Sequence, residues 1–236
     1  MSYPIYNPAR RQAARLAAVA AAAAAVLPRV ASAQALDAQS PSFEQFGAQQ
    51  PSANALLPYR VVHVSPFYNN RVLELFEFTC PYCRQINDGA RQWGGTLPKP
   101  FVFEQVPIVY DDATARAAGF YYLMLLQAPQ RIGDYMDAVF TAVQDAQAPL
   151  TSNATFIRAA AQVGITEAQF RQALSRTKDL PAYIQRVAEL CKKVAPKVTP
   201  TFVVNGDVTD VSYTRGDYQK LFKLLDGLVS QQLHRG

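Results

Sequence analysis

Two cysteines separated by two residues have a spacing that suits chemistry in this 236-residue chain: Cys80-Pro81-Tyr82-Cys83. Where such a pair opens a helix, its sulfurs can reach disulfide geometry. The first sulfur then lies beside the free backbone N–H groups at the positive end of the helix dipole. Both features favour a thiolate near neutral pH. The pair predicts dithiol–disulfide exchange, in which Cys80 forms a mixed disulfide with a substrate cysteine and Cys83 resolves it.

The residues alone leave three other uses of the pair open. A zinc site would need further ligands, and the remaining candidates, Cys191, His63 and His234, lie far apart in the sequence. A purely structural disulfide would close too short a loop to restrict the unfolded chain much. A remnant that only binds partners is the third. Cys191 is expected to be a small buried apolar side chain, with a regulatory thiol as the alternative.

The pair must be positioned by a strand before it and a helix after it. Arg71 to Phe78 alternates apolar and acidic residues, which predicts a central strand that runs into Cys80. Pro81 suits the first turn of a helix, where a missing N–H costs nothing. Tyr59 to Val64 predicts an edge strand, and Phe101 to Val106 predicts another strand.

A long helical block separates these strands from a second β pattern. From Ala113 to about Lys193, apolar residues recur at helical spacing. Thr201 to Val204 then predicts a strand, Asn205-Gly206 a tight hairpin turn, and Val208 to Tyr213 the partner strand. Asp217 to Leu233 is amphipathic and predicts a closing helix. This order predicts a mixed sheet with an inserted helical subdomain.

The N-terminus has the pattern of an export signal over residues 1–33. Three arginines precede the apolar run Leu16 to Leu27, and Ala31-Ser32-Ala33 suits cleavage. The run of 12 residues is shorter than the roughly 20 that a membrane-spanning helix needs. Residues 34–58 are rich in Gln, Ala, Ser and Pro, which predicts a flexible N-terminal segment.

The basic charge of the chain belongs mostly to the export signal. The net charge is +5, but residues 1–33 hold four arginines and no acid, which leaves 19 basic and 18 acidic side chains elsewhere. A nucleic-acid partner and an acidic membrane surface therefore lack electrostatic support. No cofactor is expected beyond a redox-active disulfide between Cys80 and Cys83.

Two segments resemble the DsbA family of periplasmic thiol:disulfide interchange proteins. Val72 to Cys83 is similar to that family's active-site strand and helix start, and Val198 to Gly206 to its cis-proline loop and hairpin. The resemblance implies an α/β thioredoxin-like fold with an inserted all-helical subdomain. The first part would be residues 59–112, the helical insertion 113–194, and the second part 195–236. With no N-terminal dimerisation domain expected, a monomer is implied.

The resemblance also implies roles for residues outside the cysteine pair. A cis Pro200 would place the backbone of Thr199 beside Cys80, where it could pair with an extended substrate, and Pro81 and Tyr82 would border the same surface. From the residues alone, a trans proline at the first position of a strand remains the alternative.

Glu74 is the remaining candidate for the site. An acid in a strand that is otherwise apolar on that side is costly unless it has a function. By resemblance it would be the buried acid that relays a proton to and from Cys83. An edge-exposed glutamate is the alternative, since Glu77 shows that the strand tolerates acids.

The family's function would make this chain an exported oxidase. It would introduce disulfides into unfolded or newly exported cysteine-containing proteins and be reoxidised by a membrane partner of the DsbB type. One alternative is a periplasmic reductase or isomerase-like protein. Another is a chaperone-like binding protein without redox function that uses a hydrophobic groove near Pro200.

Tyr82 departs from the histidine that the best-known strong oxidants of the family carry at this place. Since tyrosine offers no positive charge, the pKa of Cys80 is predicted to be less depressed and the protein a weaker oxidant. Titration of the thiolate absorbance tests this. A pKa as low as in the histidine-containing members would refute the prediction.

Overall fold

A five-stranded mixed sheet and seven α-helices form the fold, as given by a computed structural model that describes residues 57–234. The strands are β1 (Arg60–Val61), β2 (Arg71–Phe76), β3 (Val102–Pro107), β4 (Thr201–Val204) and β5 (Asp207–Asp210). The helices are α1 (Pro81–Gly94), α2 (Asp112–Gln127), α3 (Ile132–Phe140), α4 (Asn153–Gln162), α5 (Glu167–Arg176), α6 (Leu180–Val194) and α7 (Tyr218–Leu233). The predicted export signal and residues 34–56 of the N-terminal segment lie outside the described residues.

The strand order is β1-β5-β4-β2-β3, with β2 and β3 parallel and the other pairs antiparallel. β2 is therefore an interior strand, as predicted, and every residue in it except Arg71 is buried. β1 lies at the edge, also as predicted, but pairs over two residues only. The interior register sets Glu74 opposite Gln105 on β3 and Phe202 on β4.

The alternation of β2 divides the core between the two faces of the sheet. Leu73 and Leu75 pack with Leu190 of α6 on one face. Val72 packs with residues of α1 and α7 on the other, and burying each such side chain contributes about 1.5–3 kcal/mol. Because successive side chains point to opposite faces, Glu74 faces α1 with Val72.

The five helices between β3 and β4 account for the predicted helical block. A π-helical segment at Thr141–Asp145 lies between α3 and α4. Helix α2 begins with a capping box, in which Asp111 accepts the N–H of Thr114. No helix between residues 57 and 234 is long and apolar enough to cross a bilayer.

Several strand ends differ from the sequence prediction. β2 ends at Phe76 instead of continuing to Phe78. β5 ends at Asp210 instead of continuing to Tyr213, because the Asp210 side chain accepts the N–H of Ser212 and starts a 3₁₀ helix. β3 includes Pro107, which the sequence predicted to close the strand. A proline is tolerated there because β3 is an edge strand and needs no donor on its open side.

The Asn205-Gly206 hairpin turn joins β4 and β5, as predicted. Both residues have positive φ, 48° and 99°, which is the backbone of a tight turn that matches strand twist. Gly206 also lies against β1, where its carbonyl accepts the N–H of Val62. A Cβ atom at residue 206 would lie 2.4 Å from the Val62 carbonyl oxygen.

Gly206→Ala is expected to lower the free energy of unfolding by about 1–3 kcal/mol, because the positive φ and the clash with Val62 both oppose a side chain. Gly227→Ala in α7 is the matched control. Nothing lies within 4 Å of its Cβ position, so it should gain about 0.5–1 kcal/mol. Urea denaturation measures both, and equal effects of the two substitutions would contradict this account of the turn.

Candidate active site

Cys80 lies at the N-cap of α1, in the short connection that follows the end of β2 at Phe76. Its backbone is extended, and its Sγ accepts the backbone N–H of Cys83 at 3.4 Å. Pro81 takes the first helical position, as the sequence predicted. Both cysteines are free thiols in this structure, with Cys80 partly exposed and Cys83 buried.

The surroundings of Cys80 stabilise its thiolate. A hydrogen bond from the Cys83 thiol is the largest cause, and the Thr199 side chain and the backbone N–H groups of Cys83 and Tyr82 add to it. Against the cost of partial burial, they lower the pKa of Cys80 to about 6. Tyr82 acts through its backbone N–H. Cys80 is therefore ionised at neutral pH.

Cys83 behaves in the opposite way. Burial raises the pKa of its thiol well above the ordinary value, and sharing a proton with Cys80 raises it further. The pair thus consists of an accessible thiolate and a buried proton donor. This division matches the sequence hypothesis of an attacking and a resolving cysteine.

The loop before β4 reaches the pair from the other side. The Cys80 Sγ lies 3.1 Å from the carbonyl oxygen of Thr199, to which it donates when it is protonated, and Pro200 is buried. The Thr199–Pro200 peptide bond is cis, and so is Lys99–Pro100, which was not predicted. The antiparallel pairing of β4 with β2 brings this loop to the cysteines across 119 residues of sequence.

Glu74 is fully buried, with 0% of its surface exposed, so it is not the edge-exposed glutamate of the alternative. Gln105 donates to its Oε2 at 2.9 Å, while Oε1 has no partner within the described residues. Burial raises the pKa of Glu74 to about 8, partly offset by the Gln105 hydrogen bond; the nearby Cys80 charge adds to the increase. Glu74 is therefore mostly protonated at neutral pH.

Gln144 belongs to the site but was missed by sequence reasoning. From the π-helical segment its Nε2 donates to the carbonyl oxygens of Phe78 at 2.9 Å and Cys80 at 3.0 Å. Arg84 of α1 pairs with Asp145 of the same segment through two hydrogen bonds of 2.6 and 2.8 Å. The helical insertion thus holds the active-site turn from outside, through contacts that no local sequence pattern marks.

Two tyrosines contact residues near the cysteine pair. The Tyr218 hydroxyl donates to Gln85 of α1 at 3.2 Å, and burial raises the pKa of its phenol. Tyr110 is 64% exposed, and its hydroxyl donates to Glu77 at 2.7 Å. Each hydroxyl thus bonds a residue within three positions of a cysteine of the pair.

Cys191 lies away from these residues. It is 7% exposed, packs with Leu190 and Val194 on the opposite face of the sheet, and accepts the N–H of Val109 at 3.4 Å. Burial raises the pKa of its thiol. This agrees with the prediction of a small buried apolar side chain.

Comparison with known proteins shows the family. The family model described as Thioredoxin matches residues 69–224. The thiol:disulfide interchange protein DsbA of Bordetella parapertussis is 30% identical over 161 residues, which cover 68% of this chain and 75% of that protein. The chain belongs to the DsbA family. The DsbA of Pseudomonas syringae is 24% identical over 162 residues, covering 68% of this chain and 74% of that protein.

Solved DsbA structures share the fold of this DsbA-family protein. Pseudomonas aeruginosa DsbA aligns with a TM-score of 0.64 at 21% identity, over 75% of this chain and 90% of that one. Xylella fastidiosa DsbA aligns with a TM-score of 0.57 at 23% identity, over 70% and 86%. The expected thioredoxin-like α/β fold is confirmed.

Glu74→Gln is expected to change how stability depends on pH. With a pKa of about 8 in the folded chain against an ordinary 4.5, Glu74 holds a proton that the unfolded chain has lost between these values. The free energy of unfolding of the unmodified chain therefore falls as pH rises through that window. The variant lacks this loss, so its stability relative to the unmodified chain should rise on the order of 1 kcal/mol per pH unit.

Urea denaturation of the oxidised proteins between about pH 5 and pH 8 measures the Glu74→Gln effect without titrating thiols. Glu189→Gln removes an exposed carboxylate and is the control, whose difference from the unmodified chain should stay constant. A constant difference for Glu74→Gln as well would show that Glu74 ionises normally.

Proposed function

We propose that this member of the DsbA family, a protein thiol–disulfide oxidoreductase, is an exported oxidase that introduces disulfide bonds into other exported proteins. The observation that carries the proposal is the stabilised Cys80 sulfur, which accepts hydrogen bonds at the start of α1 and lies 3.1 Å from the Thr199 carbonyl oxygen. The periplasm is the proposed compartment, because an oxidised Cys80–Cys83 pair persists there.

The proposed reaction starts from the Cys80–Cys83 disulfide. A substrate thiolate attacks Cys80 Sγ, the bond between the two cysteines breaks, and Cys83 leaves with the electron pair and takes up a proton. A second substrate thiolate then attacks the substrate sulfur of the mixed disulfide, and Cys80 leaves as a thiolate. The substrate gains one disulfide and loses two electrons, which the cysteine pair holds.

The hydrogen bonds at Cys80 favour this direction. A thiolate that the fold stabilises is a good leaving group and makes the reduced pair the more stable form, so electrons flow from substrate to protein. The thiolate of Cys83 is buried and costly, which is why its proton needs a donor. Glu74, the buried acid, is proposed to supply it.

Two classes of partner follow from the proposed reaction. Unfolded or newly exported proteins supply thiols and an extended backbone, which can pair beside Cys80 with the Thr199 segment. Pro81, Tyr82 and Pro200 are proposed to border the same surface. A DsbB-type membrane partner is proposed to remove the two electrons that each cycle leaves on the cysteines.

A reductase or isomerase-like role is the second candidate, and Tyr82 is the observation that favours it. Because tyrosine carries no positive charge, the reduced form would be less strongly stabilised than in members with histidine at this place. Thiol trapping in cells separates the candidates. A predominantly oxidised Cys80–Cys83 pair supports the oxidase, and a predominantly reduced pair supports the reductase.

Oxidative refolding of a reduced substrate, run beside insulin reduction, tests the proposed chemistry and its direction. The oxidised protein should transfer its disulfide stoichiometrically, and Cys80→Ser should abolish transfer. Cys191→Ala is the matched control, because that cysteine lies on the other face of the sheet, and it should retain full activity. Full biological activity of Cys80→Ser would show that binding, not redox chemistry, is the function.

A further inference from the structure

A line of polar side chains crosses the core from Glu74 to the protein surface. Glu74, Gln105 and Asn87 are 0%, 6% and 1% exposed, and the line ends at Asp137, an exposed residue of α3. Buried polar groups of this kind destabilise a core unless they are hydrogen-bonded. The hydrogen bonds between these buried side chains therefore need to be identified one by one.

The hydrogen bonds start from Gln105, which donates to the residue on each side of it. Gln105 Nε2 donates to Glu74 Oε2 at 2.9 Å and to Asn87 Oδ1 at 3.0 Å, and Asn87 Nδ2 donates to Asp137 Oδ1 at 2.7 Å. Because the Asp137 oxygen is the acceptor, the nitrogen of Asn87 points towards it. The oxygen of Asn87 then faces Gln105, and the nitrogen of Gln105 faces Glu74.

This direction distinguishes the two oxygens of Glu74. Oε2 is held as an acceptor, whereas Oε1 has no partner within residues 57–234. A proton on the carboxyl therefore belongs on Oε1. The amide nitrogen of Gln105 uses both of its hydrogens as donors and has no lone pair to receive a proton, so the line anchors Glu74 and does not conduct protons to the surface.

We propose that Gln105 and Asn87 are positioning residues that fix Oε2 of Glu74 as a hydrogen-bond acceptor. Oε1 is then the atom that exchanges a proton with Cys83. Asp137 sets the orientation of the two amide side chains. The inference rests on the proposed function, since it assigns the geometry of the same proton transfer. It also gives the helical insertion a part in that transfer, because Asp137 belongs to α3.

Other groups also act on the charge of Glu74. Arg91 of α1 attracts the carboxylate, whereas the charge on Cys80 opposes it. Glu74 in turn disfavours ionisation of Cys83 and of Tyr121 on α2. On β4, the residue opposite Glu74 is the apolar Phe202. None of these groups is altered by substitutions along the polar line, so such substitutions isolate its contribution.

Gln105→Met keeps the shape of the side chain and removes its donors. The ¹³C shift of the Glu74 carboxyl, followed by NMR in the reduced protein, should then titrate at least about one pH unit higher than in the unmodified chain, since the hydrogen bond favours the ionised form. The pH profile of disulfide exchange should move with it. An unmoved Glu74 titration in a folded Gln105→Met protein would overturn the inference.

Asp137→Ala tests the direction of the line from the surface, where folding is not at risk. Removing a negative charge alone lowers the pKa of a nearby acid, whereas loss of the orienting acceptor raises it. An upward shift of the Glu74 titration supports the inference, and a downward or absent shift overturns it. Asp134→Ala, an exposed acid on the same helix, is the control and should give no upward shift.

The unmodified protein separates this inference from the proposed function. If it transfers no disulfide to a reduced substrate, the proposed function fails, whatever the titrations show. If it transfers disulfides while Gln105→Met and Asp137→Ala leave the Glu74 titration and the pH profile of exchange unmoved, the positioning role fails alone.

Discussion

The site depends on one interaction: the Cys80 sulfur accepts hydrogen bonds from the Cys83 thiol and from backbone N–H groups that α1 leaves free at its start. Those N–H groups are a property of any helix end, but here the N-cap side chain is itself the reacting atom. The interaction stabilises the thiolate and therefore the reduced pair. In the proposed oxidase, the leaving-group ability of Cys80 and the direction of electron flow follow from the same hydrogen bonds.

Three parts of the fold position this sulfur: strand β2, the loop before β4, and the helical insertion. Interior strand β2 delivers the chain to Cys80, and pairing with β4 sets Thr199 against it. The insertion contacts the turn through Gln144 and the Arg84–Asp145 pair. The sulfur is partly exposed in this arrangement, so another protein can reach it.

The sequence predicted those parts whose signals are local. Cys80 and Pro81 mark a helix start, β2 shows alternation, and Asn205-Gly206 marks a turn, so these elements were recognised. Gln144, Gln105 and Asn87 were missed because their roles arise from contacts across distant elements, which composition and periodicity do not encode. The early end of β5 was missed for a related reason: the side chain of Asp210 competes with the strand for the backbone.

Titration of the thiolate absorbance in the reduced unmodified chain and in Cys83→Ala tests the central interaction most directly. The account predicts a first ionisation near pH 6 in the unmodified chain, and a clearly higher Cys80 pKa in Cys83→Ala, because the largest stabilising hydrogen bond is lost. A first ionisation near the ordinary value of 9, or the same Cys80 pKa in both proteins, would contradict it.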